Sequence, residues 1–260
     1  MKRRQLIRYG GTSLLTAIGI LGSNFSSPIQ AQSGKNSVTI TYLGHTCFLF
    51  SGNGIKVLVN PFLPLGCTAG YKAPTVVADL VLISSFLLDE GAIEEVAGNP
   101  QIITNPGDYK VKNIVFKGIS TPHDLEGGRR FGQNIAWRWN QGGVNLLHLG
   151  GAAAPISLEE QILMGSPDVL LLPVGGGVKA YNPEQAMQAI EVLKPRVVIP
   201  TQYLTNAADK ENCDLVAVDD FLALTKGVME SKKLNTHSIA IKRSDLPKDK
   251  TVIRVLTAKQ

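Results

Sequence analysis

Residues 78–92 read ADLVLISSFLLDEGA. The stretch opens on an unbroken apolar run, Leu80 to Ile83, which at this length predicts a strand buried on both faces. Ser84, Ser85, Phe86, Leu87 and Leu88 follow, and then the acids Asp89 and Glu90. Acids in a first turn with Gly98 beyond the last apolar position predict a short helix over DEGAIEEVAG, 89–98.

On the N-terminal side stand VTITYLG (38–44), TCFLFSG (46–52) and IKVLVNP (55–61). They are rich in β-branched and aromatic residues and are separated by Gly-His and Gly-Asn-Gly turn residues, which predicts an antiparallel β start. The Pro- and Gly-containing stretch 61–74 reads as loop. On the C-terminal side QIITN (101–105), VKNIVFKGIST (111–121), NIAWRWN (134–140) and VNLLHLG (144–150) read as strands, the last entered through an NQGG turn. SLEEQILM (157–164) carries the capping-box pattern of Ser157 with Glu160. DVLLLPVGGG (168–177) reads as a buried strand ending in a glycine loop, and RVVIPTQY (196–203) as another strand. NPEQAMQAIEVLKP (182–195) is a helix with Asn182 as cap, Pro183 at the first position and Pro195 past the end. VDDFLALTKG (218–227) is a further helix, and HSIAIKR (237–243) and TVIRVL (251–256) close the chain as strands. A β-rich half followed by alternating strands and helices fits an α/β fold of two sheets face to face with helices outside.

The formal net charge is +5, but Lys2, Arg3, Arg4 and Arg8 lie in the first 31 residues, where there is no acid. The remainder holds 22 basic against 21 acidic residues, so no basic stripe for nucleic acid is expected. The start MKRRQLIRYGG leads into the modest apolar run SLLTAIGILG, with Pro28 and Ala31 before a polar stretch. This predicts an export leader over residues 1–31, and Arg3-Arg4 followed by Gln5, Leu6, Ile7 and Arg8 resembles a twin-arginine signal; an ordinary secretory leader is the alternative. The run is too short and Gly-rich to span a bilayer comfortably, so no stable membrane span is expected after its removal. Export predicts a periplasm or a thylakoid lumen as the destination, with residues 32–260 as one folded domain. Cys47, Cys67 and Cys213 allow one disulfide with one thiol left over, Cys47–Cys67 being one possible pair, and without a C-x-x-C spacing a zinc ribbon is excluded.

ITYLGHTCFLF (40–50), VLVNPFLPLG (57–66), ADLVLISSFLLDEGA, HLGG (148–151), LLPVGG (171–176), NPEQA (182–186) and VVIPTQY (197–203) occur in that order. Together they resemble the metallo-β-lactamase superfamily, in its branch of ascorbate-6-phosphate lactonase-like and uncharacterised metal-dependent hydrolases. The resemblance implies a four-layer αββα sandwich with a dinuclear metal site at one edge of its sheets. It also implies a T-H-x-H-x-D-H word after the buried strand. Aligned on Asp89, the three His positions of that word hold Ser85, Leu87 and Glu90. A later ligand His matches His123 in STPHDLEG, the bridging Asp falls on Gly151, and the last His falls on Gln202. Asp89 and His123 are the ligands that remain.

A catalytic zinc needs about three protein ligands and a water. Leu87 offers no lone pair, Ser85 and Gln202 are weak neutral donors, and Gly151 has no side chain. No cofactor is therefore expected, although Asp89, His123 and Glu90 could retain zinc or another divalent ion. Asp89 is the candidate catalytic residue. His45, Ser85, Glu90, His123 and Gln202 are the candidate cleft residues. If no metal is held, Asp89 and Glu90 serve the first turn of the expected helix, while Phe86 and Leu87 fill the cavity. His148 reads as a satisfied core group, and the run Gly175–Gly177 as a loop able to cradle an anion. Three functions follow: an exported protein whose emptied cleft binds a small molecule or a protein partner, a divergent hydrolase of a small ester or lactone, or an assembly subunit whose sheet edge is an interface.

Overall fold

The structure, a computed structural model, describes residues 36–94 and 96–259; the expected leader lies outside them. Among the described residues no helix is long and apolar enough to cross a membrane. The alternating N-terminal runs form β1 (Ser37–Gly44), β2 (Cys47–Gly52) and β3 (Ile55–Val59), paired antiparallel. Asn53 and Gly54 both adopt positive φ, the two-residue turn whose twist suits a hairpin. The all-apolar β4 (Leu80–Leu82) lies parallel to β3, and β5 (Gln101–Ile103) parallel to β4.

The second sheet opens with β6 (Gly107–Val111), β7 (Ile114–Pro122), β8 (Gln133–Gln141) and β9 (Val144–His148), a meander. The stretch expected as one strand over 111–121 is instead broken by Lys112 and Asn113, both left-handed, which fold it into the β6–β7 hairpin. Beyond it lie α1 (Leu158–Met164), β10 (Val169–Pro173), α2 (Pro183–Leu193), β11 (Val197–Thr201) and α3 (Val218–Thr225). The chain then adds β12 (Glu230–Lys233), β13 (Ser238–Lys242) and β14 (Val252–Val255). The sheet orders are β13-β1-β2-β3-β4-β5 and β12-β14-β11-β10-β9-β8-β7-β6. β12 is exposed throughout and has no apolar alternation that would mark it in the sequence.

The inner faces share one core, with Val38, Ile40, Phe48, Phe50, Leu80 and Leu82 on one side and Phe116, Trp137, Trp139, Leu146, Leu171 and Ile199 on the other. Phe50 meets Trp139 edge to face at 4.8 Å between ring centroids, a favoured aromatic geometry. The helices cover the outer face of the larger sheet, where Ala186, Ile190, Leu193 and Phe221 pack on Leu147, Leu170, Leu172 and Val198. Both expected caps form: Ser157 with Glu160 on α1, and Asn182 with Gln185 on α2.

The outer face of the smaller sheet carries Leu43, Cys47, Leu58, Phe62, Val81 and Ile83, with Val76 and Val96 from loops packed against them. The helix expected over 89–98 does not form. The chain turns instead, with Glu90 and Gly91 both donating backbone N–H to Leu87 O. At Gly91 a Cβ would collide with the Ser85 carbonyl oxygen and stand 3.1 Å from Phe86 Cα, backbone atoms that no rotamer change can move. Gly91→Ala is therefore expected to destabilise the fold by about 1–3 kcal/mol, the usual range for overpacking. An unchanged urea midpoint would show that the turn has slack.

Candidate functional site

Each site residue lies just beyond the C-terminal end of a strand, where α/β sheets present their ligand crevices. His45 follows β1; Ser85, Asp89 and Glu90 follow β4; His123 follows β7; Gly151 follows β9; Lys179 follows β10; Gln202 follows β11. Indole Nε1 of Trp137 donates to Ile83 O at 3.1 Å, tying the end of β4 to the opposite sheet. Asn60 Oδ1 accepts from Ser84 N at 2.9 Å. His45, Asn60 and Gln202 all hold left-handed backbone, uncommon for residues with a Cβ, and Gln202 N donates to His45 O at 3.2 Å. Such strain persists only where surrounding contacts impose it, and it gathers at functional sites.

Asp89 faces two partners. Lys179 Nζ donates to its Oδ2 at 2.6 Å, and His45 Nε2 stands 3.8 Å from the same oxygen. Burial pushes the Asp89 carboxyl upward, but His45 and Lys179 together hold it below the usual range. Glu90 is buried: its Oε2 accepts from Ser85 Oγ at 3.1 Å, its Oε1 accepts from Gln202 Nε2 at 3.1 Å, and His123 Nε2 lies 3.6 Å from Oε2. Burial, reinforced by the charge of Asp89, raises Glu90 to about 8, so it is mostly protonated at neutral pH. Burial lowers His45 and His123 to about 4 each, leaving both imidazoles neutral there. His45 Nε2, both ring nitrogens of His123 and Gln202 Oε1 have no hydrogen-bond partner among the described residues.

The loop carrying His123 is wound around its neighbour. Asp124 accepts from the backbone N–H groups of Glu126, Gly128, Arg130 and Phe131, which outweigh burial and bring its carboxyl to about 2. His148 is the core group its sequence context suggests, with Nε2 against Thr46 O and Nδ1 accepting from Gly150 N, both at 3.0 Å. At Gly151 a Cβ would fall on His123 Nε2 and 2.5 Å from Glu90 Oε1, so these two side chains occupy the room a larger residue would need.

In the glycine run able to cradle an anion, Gly176 N already donates to Tyr181 O at 2.8 Å, and just past the run Val178 N donates to Asp214 Oδ2 at 3.2 Å. Phe86 does not fill the cavity; it is 73% exposed, and Leu87 lines the cleft instead of plugging it. With no helix to cap, Asp89 and Glu90 turn to Lys179 and to the buried cluster. The cysteine pairing also differs from the one weighed: Cys67 bonds Cys213, and Cys47 is a buried free thiol. Cys47 lies inside the β2 packing, whereas Cys67 sits on a one-turn 3-10 helix, Gly66–Thr68, bonded to Cys213 in the irregular stretch ahead of α3.

Asp89, His45, Lys179 and Gln202 open onto a cleft of about 410 Å³, walled also by Leu65, Leu87, Leu88 and Cys67. Lys179 occupies none of the family's ligand positions; its one mark in the sequence is a base two residues past the glycine run that follows a buried strand. The donors do not fit a catalytic zinc centre. Each histidine meets one carboxylate, Leu87 and Gly151 contribute no donor atom, and Asp89 is engaged by an ammonium. Among the described residues no group of three or more His, Cys, Asp and Glu side chains converges to hold a metal.

A family model described as Beta-lactamase superfamily domain matches residues 39–202. A protein of Thermococcus onnurineus named UPF0173 metal-dependent hydrolase is 30% identical over 202 residues, 67% of this chain and 89% of the relative. One of Carboxydothermus hydrogenoformans with the same name is 28% identical over 196 residues, 64% of this chain and 84% of the relative. The crystal structure of a putative Zn-dependent hydrolase of the metallo-β-lactamase superfamily from Thermotoga maritima superposes with a TM-score of 0.66. It is 29% identical, and the match covers 84% of this chain and 98% of that one.

Proposed function

The chain belongs to the β-lactamase superfamily, and we propose that it uses the superfamily's strand-end cleft to bind a small organic ligand instead of to perform metal-dependent hydrolysis. The observation that carries this reading is the donor set. His45 pairs with Asp89 at 3.8 Å and His123 with Glu90 at 3.6 Å, while Glu90 is drawn off by Ser85 and Gln202. Two separate imidazole–carboxylate pairs fall short of the three ligands that activate a zinc-bound water. The ligand's oxygen acceptors would meet Lys179, and its apolar body Leu65, Leu87 and Leu88, which line the same cleft.

The same reading has the protein exported, to a periplasm or a thylakoid lumen. The Cys67–Cys213 disulfide supports this, because such bonds persist in oxidising compartments. The test is elemental analysis of protein recovered from an exported fraction, with a hydrolysis screen over small lactones and esters. Zinc far below stoichiometric and a blank screen are expected. Stoichiometric zinc with zinc-dependent turnover would sink the reading.

A second reading has one observation in its favour. The Nε2 atoms of His123 and His45 make no hydrogen bond among the described residues although both are buried, as ligand atoms awaiting an ion would. A divergent hydrolase of a small ester or lactone would then hold one divalent ion on Asp89, His123 and Glu90. Loss of both bound metal and turnover in His123→Ala would favour it over the first.

A further inference from the structure

We infer that Lys179 is a resident cation that occupies the charge position of a metal ion in this cleft and keeps divalent metals out. The inference deepens the metal-free reading above and rests on it.

Lysine is seldom buried unless it is paired, and Lys179 is three-quarters withdrawn from water, with 26% of its side chain exposed. Its ammonium sits 2.6 Å from Asp89 Oδ2, the same oxygen that His45 Nε2 faces at 3.8 Å, and Lys179 lines the cleft beside Asp89, His45 and Gln202. Among the described residues Lys179 is the one lysine or arginine within ion-pair distance of Asp89, and none reaches Glu90, which faces only the imidazole of His123 at 3.6 Å. A carboxylate left without a counter-charge at this depth would be strongly disfavoured, and the ammonium supplies the charge a metal otherwise brings.

The lysine is also placed by its backbone and is no loose surface arm. Val178 N is held by Asp214 Oδ2, and Gly176 N donates to Tyr181 O at 2.8 Å. Gln202 Nε2, while donating to Glu90, also lies 3.4 Å from Lys179 O. Tyr181, on the far side of the lysine, is buried and donates its hydroxyl to Ala154 O at 2.7 Å. The loop is thus fixed on both sides of position 179, and the ammonium is delivered to Asp89. An ammonium has three donors and no lone pair, so it balances charge but cannot coordinate. A dication on Asp89 would meet it as a like charge at short range.

Zinc titration of the full oxidised protein, followed by calorimetry, separates charge from shape. Lys179→Gln removes the charge while leaving an N–H to donate to Asp89, so the fold is retained; Lys179→Arg keeps the charge. Wild type and Lys179→Arg are expected to bind zinc weakly and alike, and Lys179→Gln about tenfold or more tightly than either. A Lys179→Gln protein that is folded by circular dichroism and binds zinc no better than wild type overturns the inference and leaves the metal-free reading standing. Tight zinc binding by the wild type overturns both.

Discussion

Acidification from pH 6.5 towards 4 is expected to unfold this protein, and the cause is three buried histidines. Burial lowers His45, His123 and His148 each to about 4, from an ordinary value near 6.5. His148 is lowered by burial although its contact with the Thr46 carbonyl works the other way. Between these limits the unfolded chain takes up protons that the folded chain refuses. Stability therefore rises with pH across the window and is lost as pH falls through it. Each histidine accounts for up to about 3 kcal/mol at 1.36 kcal/mol per unit. All three act in the same direction, against the marginal stability of an ordinary domain. Glu90 acts in the opposite sense. Raised to about 8, it binds its proton in the folded state and releases it in the unfolded one above about 4.5. Its stabilisation is full below that lower value and is lost as pH rises through 8.

Three protons against one make the acid limb the steep one, and Glu90 alone leaves a gentle decline above pH 6.5. The expected profile of urea midpoints has its maximum near pH 6.5 and a collapse around 5. Glu90→Gln keeps a neutral side chain at that position and is expected to flatten the alkaline decline while leaving the acid limb in place. A profile level from pH 4 to 7 would mean that these imidazoles are hydrated or charged in the folded protein.

Much of the scaffold is legible because its causes are local. The period-two runs 38–44, 46–52 and 55–61 carry their own β pattern, and Ser157–Glu160 and Asn182–Gln185 carry their own helix starts. The turn at 87–91 illustrates the limit. DEGAIEEVAG has acids and a terminal glycine where a helix wants them, yet Glu90 is drawn into the core by Gln202 and His123, residues far along the chain. The local preference is worth tenths of a kcal/mol per residue, and the buried cluster outweighs it. Position 86 fails for the same reason: once the helix is gone, Phe86 is carried outward on the turn. Site residues that occupy family positions, such as His123 and Gln202, could be found by their words. Lys179 could not, since it sits at none of those positions and its partner Asp89 is 90 residues away.

Removing the Cys67–Cys213 bond is expected to cost about 5 kcal/mol, the loop entropy released when a 146-residue separation is no longer closed in the unfolded chain. The double variant Cys67→Ser, Cys213→Ser avoids stray thiols, and its urea midpoint against the oxidised parent measures the loss. Beyond stability the bond stands at the cleft. It joins the loop that carries Leu65 and Gly66 to the loop that carries Asn212, Asp214 and Leu215, all of them lining residues. Two backbone bonds reinforce the same junction, Gly70 N to Ala207 O at 2.6 Å and Asp209 N to Gly66 O at 2.9 Å. Asp214 in turn holds Val178 N, one residue from the lysine on Asp89. Opening the bond is thus expected to loosen Asp214 and then Lys179, so the double variant should also gain zinc affinity in the direction of Lys179→Gln. Cys47→Ser, by contrast, changes a buried thiol on β2 that takes no part in the disulfide, and should leave zinc binding unmoved. If the double variant matches its parent in both midpoint and zinc titration, the two loops are held by their backbone bonds alone, and the disulfide has no hold on the site.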